Sequence, residues 1–193
     1  MHNLKMDNSM DISKESKILL LKIARKTIEE KLFGRSEINI DENVNKELDT
    51  ISGVFVTIHK KGMLRGCIGN IFGYLPLKEA VKRLAIESAF KDPRFLPLNK
   101  EEYKDIDIEI TILSEPEDTD IEDIKPGMGV VLSLGLRSAT YLPQVWEQLP
   151  DKEEFLSSLC LKTGLDRNCF KRHDVRFKTY KGIVFSEKEM GLL

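Results

Sequence analysis

The chain has 193 residues, of which 41% are apolar and 32% are charged, and its formal net charge is −2. This balance is typical of a soluble globular protein with one buried core, and it excludes a fibrous or largely disordered chain. No apolar stretch approaches the roughly 20 residues that cross a bilayer, and the N-terminus lacks a secretory signal pattern. We therefore expect a cytoplasmic protein with no membrane segment.

The three cysteines are Cys67, Cys160 and Cys169. Their odd number and the absence of a Cys-x-x-Cys pair argue against a disulfide framework and against a thiolate zinc site. We therefore expect reduced thiols, no structural metal and no cofactor.

The first predicted element is a helix that follows a loose polar arm over residues 1–12. Ser13 suits the N-cap, and Gly34 suits the left-handed residue at the end of the helix. We expect this helix to open a single domain over residues 13–189. Its apolar face consists of Leu21, Ala24, Ile28 and Leu32.

A β-hairpin is predicted next. Residues 53–59 alternate between two faces and place β-branched side chains on one of them, which indicates a strand. Residues 60–62 form a short turn whose glycine accepts a positive φ. Residues 63–68 should therefore return as the antiparallel second strand.

The rest of the chain mixes helices with further strands. Pro76 suits the first turn of a second helix, which Asp92 ends because a proline follows it. Isoleucine at alternate positions of residues 106–112 predicts a half-buried strand, and the acidic run over residues 115–120 predicts a surface loop. The last predicted elements are a hairpin over 130–141, a helix over 151–164, and strands over 175–180 and 183–185. This order favours an α+β fold with a mainly antiparallel sheet and packed helices.

Five short motifs occur in an order that resembles a known family. They are GVFVT at 53–57, LRGCIG at 64–69, PL at 76–77, DPRF at 92–95 and YLPQV at 141–145. Over about residues 15–187 the chain resembles the AMMECR-type domain, whose microbial members are called AmmeMemoRadiSam system protein A. The resemblance implies an α+β fold of two unequal subdomains. Microbial members are associated with a Memo-like protein and a radical-SAM protein, so it also implies a shared modification pathway.

Cys67, within the LRGCIG signature, is the strongest candidate for chemistry. A thiolate is reactive, and Arg65 on the same strand face could lower the thiol pKa, so both are candidate catalytic residues. A two- or three-residue turn would place Cys67 opposite Val56 or Phe55. His59 would then lie roughly 10 to 13 Å away, which argues against a cysteine–histidine pair. The alternative interpretation of Cys67 is a small buried strand residue.

Two glycines and one carboxylate are further ligand-binding candidates. Gly66 and Gly69 leave room beside the strand for a ligand or for another backbone segment. Glu109 lies on the polar face of the isoleucine strand. It is either a general acid or base in a cleft or an ordinary exposed carboxylate.

Asp92 and Arg94 are candidate ligand-binding residues because they follow the second helix, whose end should approach Arg65. The three side chains would form either a cluster that binds a carboxylate or phosphate group, or a structural salt bridge.

Basic and aromatic residues interleave over residues 167–181, a composition that suits single-stranded nucleic acid. Strand alternation explains the same pattern, so nucleic-acid binding is the least favoured hypothesis. The leading hypothesis is an accessory protein that binds a ligand or partner in a pathway with Memo-like and radical-SAM proteins. The alternatives are an enzyme that uses Cys67 as nucleophile or redox thiol, and a nucleic-acid-binding protein.

Overall fold

The computed structural model of the protein describes residues 12–38 and 46–193. These residues form three α-helices and eight strands in two four-stranded antiparallel sheets, which confirms the predicted α+β fold. The helices are α1 (Lys14–Phe33), α2 (Leu77–Phe90) and α3 (Lys152–Lys162). The strands are β1 (Gly53–Lys60), β2 (Met63–Asn70), β3 (Ile106–Leu113), β4 (Glu117–Thr119), β5 (Gly129–Leu134), β6 (Arg137–Tyr141), β7 (Arg176–Tyr180) and β8 (Gly182–Ser186).

The chain divides into two compact units of unequal size. One consists of the described residues up to Ile112 together with Ile183–Leu193, and the other is Leu113–Gly182. Residues 1–11 of the predicted N-terminal arm lie outside the described residues. The last residue of that arm, Ile12, is buried in the core of the larger unit. None of the described helices is long and apolar enough to span a membrane.

The larger unit contains a sheet with strand order β2-β1-β3-β8. Alternate residues of β1 and β3 pack against the apolar faces of α1 and α2 in one core. Every second residue of a strand points to the same side, and so do residues three or four apart in a helix, so each element has one apolar side. Helix α1 begins at the predicted N-cap Ser13 and ends at Gly34, whose φ is 78°. Strand β2, which carries the signature, lies at one edge of this sheet.

The smaller unit contains a sheet with strand order β4-β7-β5-β6, packed against α3. Its core includes Trp146 stacked on Phe155 with ring centroids 3.9 Å apart. The predicted surface loop over residues 115–120 is partly wrong, because β4 pairs antiparallel with β7. This strand has only three residues and its acidic side chains are exposed, so it shows no alternation of apolar and polar residues. The sequence pattern therefore could not predict it.

The expectation of reduced thiols is also wrong for two of the three cysteines. Cys160 and Cys169 form a disulfide whose Cα atoms lie 5.8 Å apart, and both residues are fully buried. The bond joins α3 to the turn that precedes β7. Cys67 is the free cysteine.

Candidate functional site

The hairpin that carries the LRGCIG signature contains a β-bulge. Its turn consists of Lys61 and Gly62, whose φ values are 52° and 79°. The register shifts between Ile58 and His59, which leaves Arg65 without an opposite residue. Such a bulge bends the strand and takes the extra residue out of the regular alternation.

The bulge places Cys67 opposite Thr57. The predicted position opposite Val56 or Phe55 is therefore wrong, because the sequence pattern did not reveal the extra residue on β2. His59 lies two residues from Thr57 along β1, which is about 7 Å of strand. It lines a separate groove beside the hairpin turn.

Helix α2 approaches the signature strand so closely that the Ser88 side chain bridges β1 and β2. The Ser88 hydroxyl accepts a hydrogen bond from the Ile68 N–H at 2.9 Å and donates one to the Val56 carbonyl at 2.7 Å. Gly66 permits this approach, because a Cβ at Gly66 would lie 2.1 Å from the Ser88 carbonyl oxygen.

The expected ligand space beside the two signature glycines is filled by the protein itself. Helix α2 occupies the space beside Gly66. The ring of Phe55 covers Gly69, where an added Cβ would lie 2.2 Å from a ring carbon. Both glycines therefore permit close packing of this chain, and at Gly66 the approaching group is another backbone segment, as one of the two predicted alternatives had it. A ligand-binding role for either glycine stays a prediction.

Asp92 and Arg94 hold both backbone polar groups of Cys67. The Asp92 carboxylate accepts a hydrogen bond from the Cys67 N–H at 2.9 Å, and Arg94 Nη2 donates to the Cys67 carbonyl at 3.2 Å. Arg94 also binds Asp92 through Nε at 3.0 Å and Nη2 at 2.7 Å. The turn after α2 thus fixes the edge strand at Cys67.

The two partners of this ion pair differ in their exposure to solvent. The Asp92 side chain is 1% exposed, whereas the Arg94 side chain is 54% exposed. Hydrogen bonds from Arg94, together with the N–H groups of Cys67 and Arg94, hold the pKa of Asp92 well below its usual range. The carboxylate is therefore a buried anchor for an exposed guanidinium group, and its lowered pKa favours the charged form.

Arg65 pairs with a carboxylate other than the one predicted. Its Nε and Nη2 donate to Glu102 at 3.0 and 2.9 Å, and Lys60 Nζ lies 2.9 Å from the same carboxylate. The hydrogen bonds from Arg65, and then those from Lys60, lower the pKa of Glu102 to about 2. The predicted cluster of Asp92 with both arginines is therefore two separate ion pairs.

Phe95 connects these two ion pairs. The guanidinium carbons of Arg65 and Arg94 lie 5.9 and 5.4 Å from the centre of the Phe95 ring. The neighbouring Leu96 is 84% exposed, and Leu64 beside Arg65 is also exposed. Two chain segments therefore meet at Phe95, each with an arginine and an exposed leucine.

The thiol of Cys67 lies on the sheet face that carries Thr57. The Thr57 hydroxyl donates a hydrogen bond to the sulfur at 3.2 Å. Burial raises the pKa of the Cys67 thiol, Thr57 and the charge of Arg94 oppose this shift, and Asp92 and Glu109 add to it. The net shift disfavours the reactive thiolate, and none of its named causes is a histidine.

The structure thus joins Cys67, Asp92 and Arg94 by hydrogen bonds and links Arg65 to Arg94 through Phe95. The charge of Glu109 acts on the Cys67 thiol, and no hydrogen bond joins the two residues among those that the structure describes. The role of Glu109 as general acid or base stays a prediction. No group of three or more histidine, cysteine or carboxylate side chains that could hold a metal occurs within residues 12–38 and 46–193.

Sequence reasoning missed the contributions of Ser88, Thr57 and Glu102. Ser88 left one signal, because it occupies a position on the apolar face of α2 where a serine is unusual unless its hydroxyl is hydrogen-bonded. No local sequence pattern points to Glu102, because this residue lies 37 positions from Arg65 in the chain.

A comparison with models of known protein families identifies the family of this chain. A model of the AMMECR1 family matches residues 21–185. The chain belongs to the AMMECR1 family. This confirms the resemblance that the signature indicated.

Archaeal relatives of the AMMECR1 family match nearly the whole chain. A protein of Sulfolobus acidocaldarius is 39% identical, over 94% of this chain and 84% of its own length. A protein of Methanothermobacter thermautotrophicus is 37% identical, over 91% of this chain and 96% of its own. The crystal structure of the uncharacterized protein PH0010 from Pyrococcus horikoshii superposes with a TM-score of 0.78 at 36% identity, and covers 88% of this chain and 90% of that one.

Proposed function

We propose that this AMMECR1-family protein is an accessory protein that binds a partner or ligand through the Cys67 surface, which we define as Arg65, Cys67, Asp92, Arg94 and Phe95. One observation carries the proposal: the exposed guanidinium of Arg94 is held by a buried carboxylate that is itself bonded to the signature strand. This arrangement presents a fixed hydrogen-bond donor to the solvent.

A fixed arginine suits binding for an energetic reason. Immobilising a flexible side chain on association costs about 0.5–1.5 kcal/mol, and Arg94 is already immobilised by Asp92 and by the Cys67 carbonyl. Arginine is also enriched among the residues that contribute most to protein interfaces. The Cys67 surface is therefore preorganised for a partner.

Apolar side chains beside the Cys67 surface support a protein partner. Leu96 follows Phe95 directly, and Met63 and Leu64 precede Arg65 on the hairpin; all three are exposed. Exposed apolar groups that border arginine and aromatic side chains have the composition of an interface.

The enzyme hypothesis is the second candidate, and the half-buried thiol of Cys67 beside Glu109 is the observation that favours it. A nucleophilic cysteine requires a lowered thiol pKa, usually from a histidine or another cation. The pKa of Cys67 is raised instead, mainly because the thiol is buried. This direction supports the binding role over nucleophilic catalysis.

Nucleic-acid binding gains no support from the basic run over residues 167–181. Lys171, Arg172 and Lys178 each pair with a carboxylate of the same unit. Neutralised side chains contribute little to the counterion release on which nucleic-acid affinity depends.

We propose a Memo-like protein and a radical-SAM protein as the partners, in the cytoplasm, because microbial relatives of the signature are associated with them. The test mixes this protein with the purified Memo-like and radical-SAM proteins of the same organism, and measures complex formation by analytical ultracentrifugation. Wild-type protein should form a complex with at least one of them. Arg94→Ala should weaken it about tenfold, the loss expected for one important arginine.

The matched control for Arg94→Ala is Arg172→Ala. Arg172 forms the same type of pair, with Nε and Nη2 2.9 and 2.8 Å from Asp174, and has similar exposure, but it lies in the smaller unit. This variant should bind as the wild type does. The proposal is contradicted if neither partner binds, or if the Arg94 and Arg172 variants bind equally well.

A further inference from the structure

The guanidinium group of Arg94 has one unused edge. Nε and Nη2 donate to Asp92 and to the Cys67 carbonyl. Within the part of the chain that the structure describes, no acceptor binds Nη1. An arginine presents five N–H donors in a planar fork, so two donors of fixed direction remain for a ligand.

The guanidinium group that carries this free edge is hydrogen-bonded to the backbone of Cys67. Arg94 Nη2 is 3.2 Å from the Cys67 carbonyl oxygen, and the charge of Arg94 acts directly on the thiol. A group that binds Nη1 is therefore close enough to change the environment of the sulfur.

We infer that the Cys67 surface binds a small anion whose carboxylate or phosphate oxygens accept hydrogen bonds from Arg94 Nη1, and that the bound anion protects the Cys67 thiol from reaction. The inference rests on the proposed function, since it names the ligand class of the same surface. The shared chemistry of the two ligand types is an oxyanion that can face a planar guanidinium edge.

Electrostatics explains the protection. Asp92 already neutralises Arg94, so a bound anion adds net negative charge beside the sulfur. The other charged group that acts on the pKa of the thiol is Glu109 on β3, and the hydroxyl of Thr57 on β1 donates a hydrogen bond to the sulfur. None of these supplies a compensating positive charge. The thiolate becomes harder to form, and alkylation, which requires the thiolate, becomes slower.

The protein offers a direct readout of this effect because Cys67 is its one free cysteine, the other two being joined in a disulfide. The experiment measures the rate at which iodoacetamide alkylates Cys67 at fixed pH, in increasing concentrations of inorganic phosphate or acetate. Sodium chloride keeps the ionic strength constant, so that general screening does not change. We expect a saturable decrease in rate of about threefold to tenfold, the effect of one unit charge roughly 6 Å away where nearby water keeps the effective dielectric constant at about 40 to 80.

Variants of Arg94 test whether the anion binds at this residue. Arg94→Ala should abolish the saturable decrease, and Arg172→Ala should retain it. Because Arg94→Ala leaves the buried Asp92 carboxylate without its partner, the double variant Asp92→Asn/Arg94→Ala serves as a second test in a protein without that charge. Thermal unfolding verifies that each variant is folded.

The two anions distinguish the source of the ligand group. A decrease with phosphate alone supports a phosphate ligand, a decrease with acetate alone supports a carboxylate ligand, and a decrease with both supports the shared chemistry. The inference is overturned if neither anion causes a saturable decrease in the alkylation rate of the wild type. It is also overturned if Arg94→Ala and Asp92→Asn/Arg94→Ala both show the same decrease as the wild type. Partner binding is measured separately, so an Arg94-dependent complex without an anion effect would overturn only this inference and leave the proposed function standing.

Discussion

The backbone N–H of Cys67 donates a hydrogen bond to the Asp92 carboxylate at 2.9 Å, although the two residues lie 25 positions apart in the chain. Asp92 also holds Arg94, which returns a hydrogen bond to the carbonyl of the same cysteine. An edge strand normally leaves such groups open to pairing with another chain. Here two side chains that follow α2 satisfy them and fix the position of the thiol.

Replacing Asp92 with alanine should lower the free energy of unfolding by about 2–3 kcal/mol, because a buried, charge-assisted hydrogen-bond network is lost. The measurement is urea-induced unfolding near neutral pH. The matched control is Asp174→Ala, which removes the partner of Arg172 from an exposed pair of the same geometry and should lower stability far less than Asp92→Ala does. Equal losses in the two variants would contradict this account.

The stability that Asp92 contributes should persist in mild acid. Its folded pKa is lower than its unfolded value, which is about 3.9. The contribution is therefore fully present above the unfolded pKa and is lost progressively as the pH falls from that value through the folded pKa. The stability difference between wild type and Asp92→Asn should stay constant from about pH 7 to about pH 5 and decrease below about pH 4. A decrease already between about pH 7 and pH 5 would be inconsistent with a buried, ionised Asp92.

Gly66→Ala should destabilise the protein by about 3 kcal/mol or more, because the new methyl group would overlap the Ser88 carbonyl oxygen of α2. Gly62→Ala provides the comparison. Its φ of 79° is unfavourable for alanine but its Cβ would meet open space, so the cost should be about 1 kcal/mol. Urea unfolding of both variants tests the difference. If Gly66→Ala were the milder change, α2 would not approach the strand as described.

The disulfide should be visible in a thiol count and in stability. Denatured, unreduced protein should show one reactive thiol, and reduction should raise the count to three. Replacing Cys160 and Cys169 with alanine should lower the free energy of unfolding by about 3 kcal/mol, as expected for opening a loop of this length. Cys67→Ala is the control, because its thiol makes no covalent bond. Three reactive thiols before reduction would disprove the pairing.

Local patterns predicted most of the secondary structure because local physics determines it. Ser13 and Gly34 marked the ends of α1, and alternate isoleucines marked β3. In both cases neighbouring residues in the chain determine the outcome. The direction of the second helix also predicted that Asp92 and Arg94 lie near the signature strand.

The details of the candidate site depend on contacts between distant residues, which the sequence does not display. The bulge at Arg65 shifts every later pair of the hairpin by one residue. Glu102, rather than Asp92, is the partner of Arg65. Cys160 and Cys169 meet only because the chain after α3 turns back toward that helix. A local pattern contains none of these distances.

The pH dependence of Cys67 alkylation tests the central claim most directly. A binding surface with a half-buried thiol predicts a midpoint above the ordinary thiol value of about 8.5, and a still higher midpoint in Arg94→Ala, because Arg94 favours the thiolate. A wild-type midpoint below about pH 7 would mean that Cys67 is an activated nucleophile. That result would contradict the binding role and favour the enzyme.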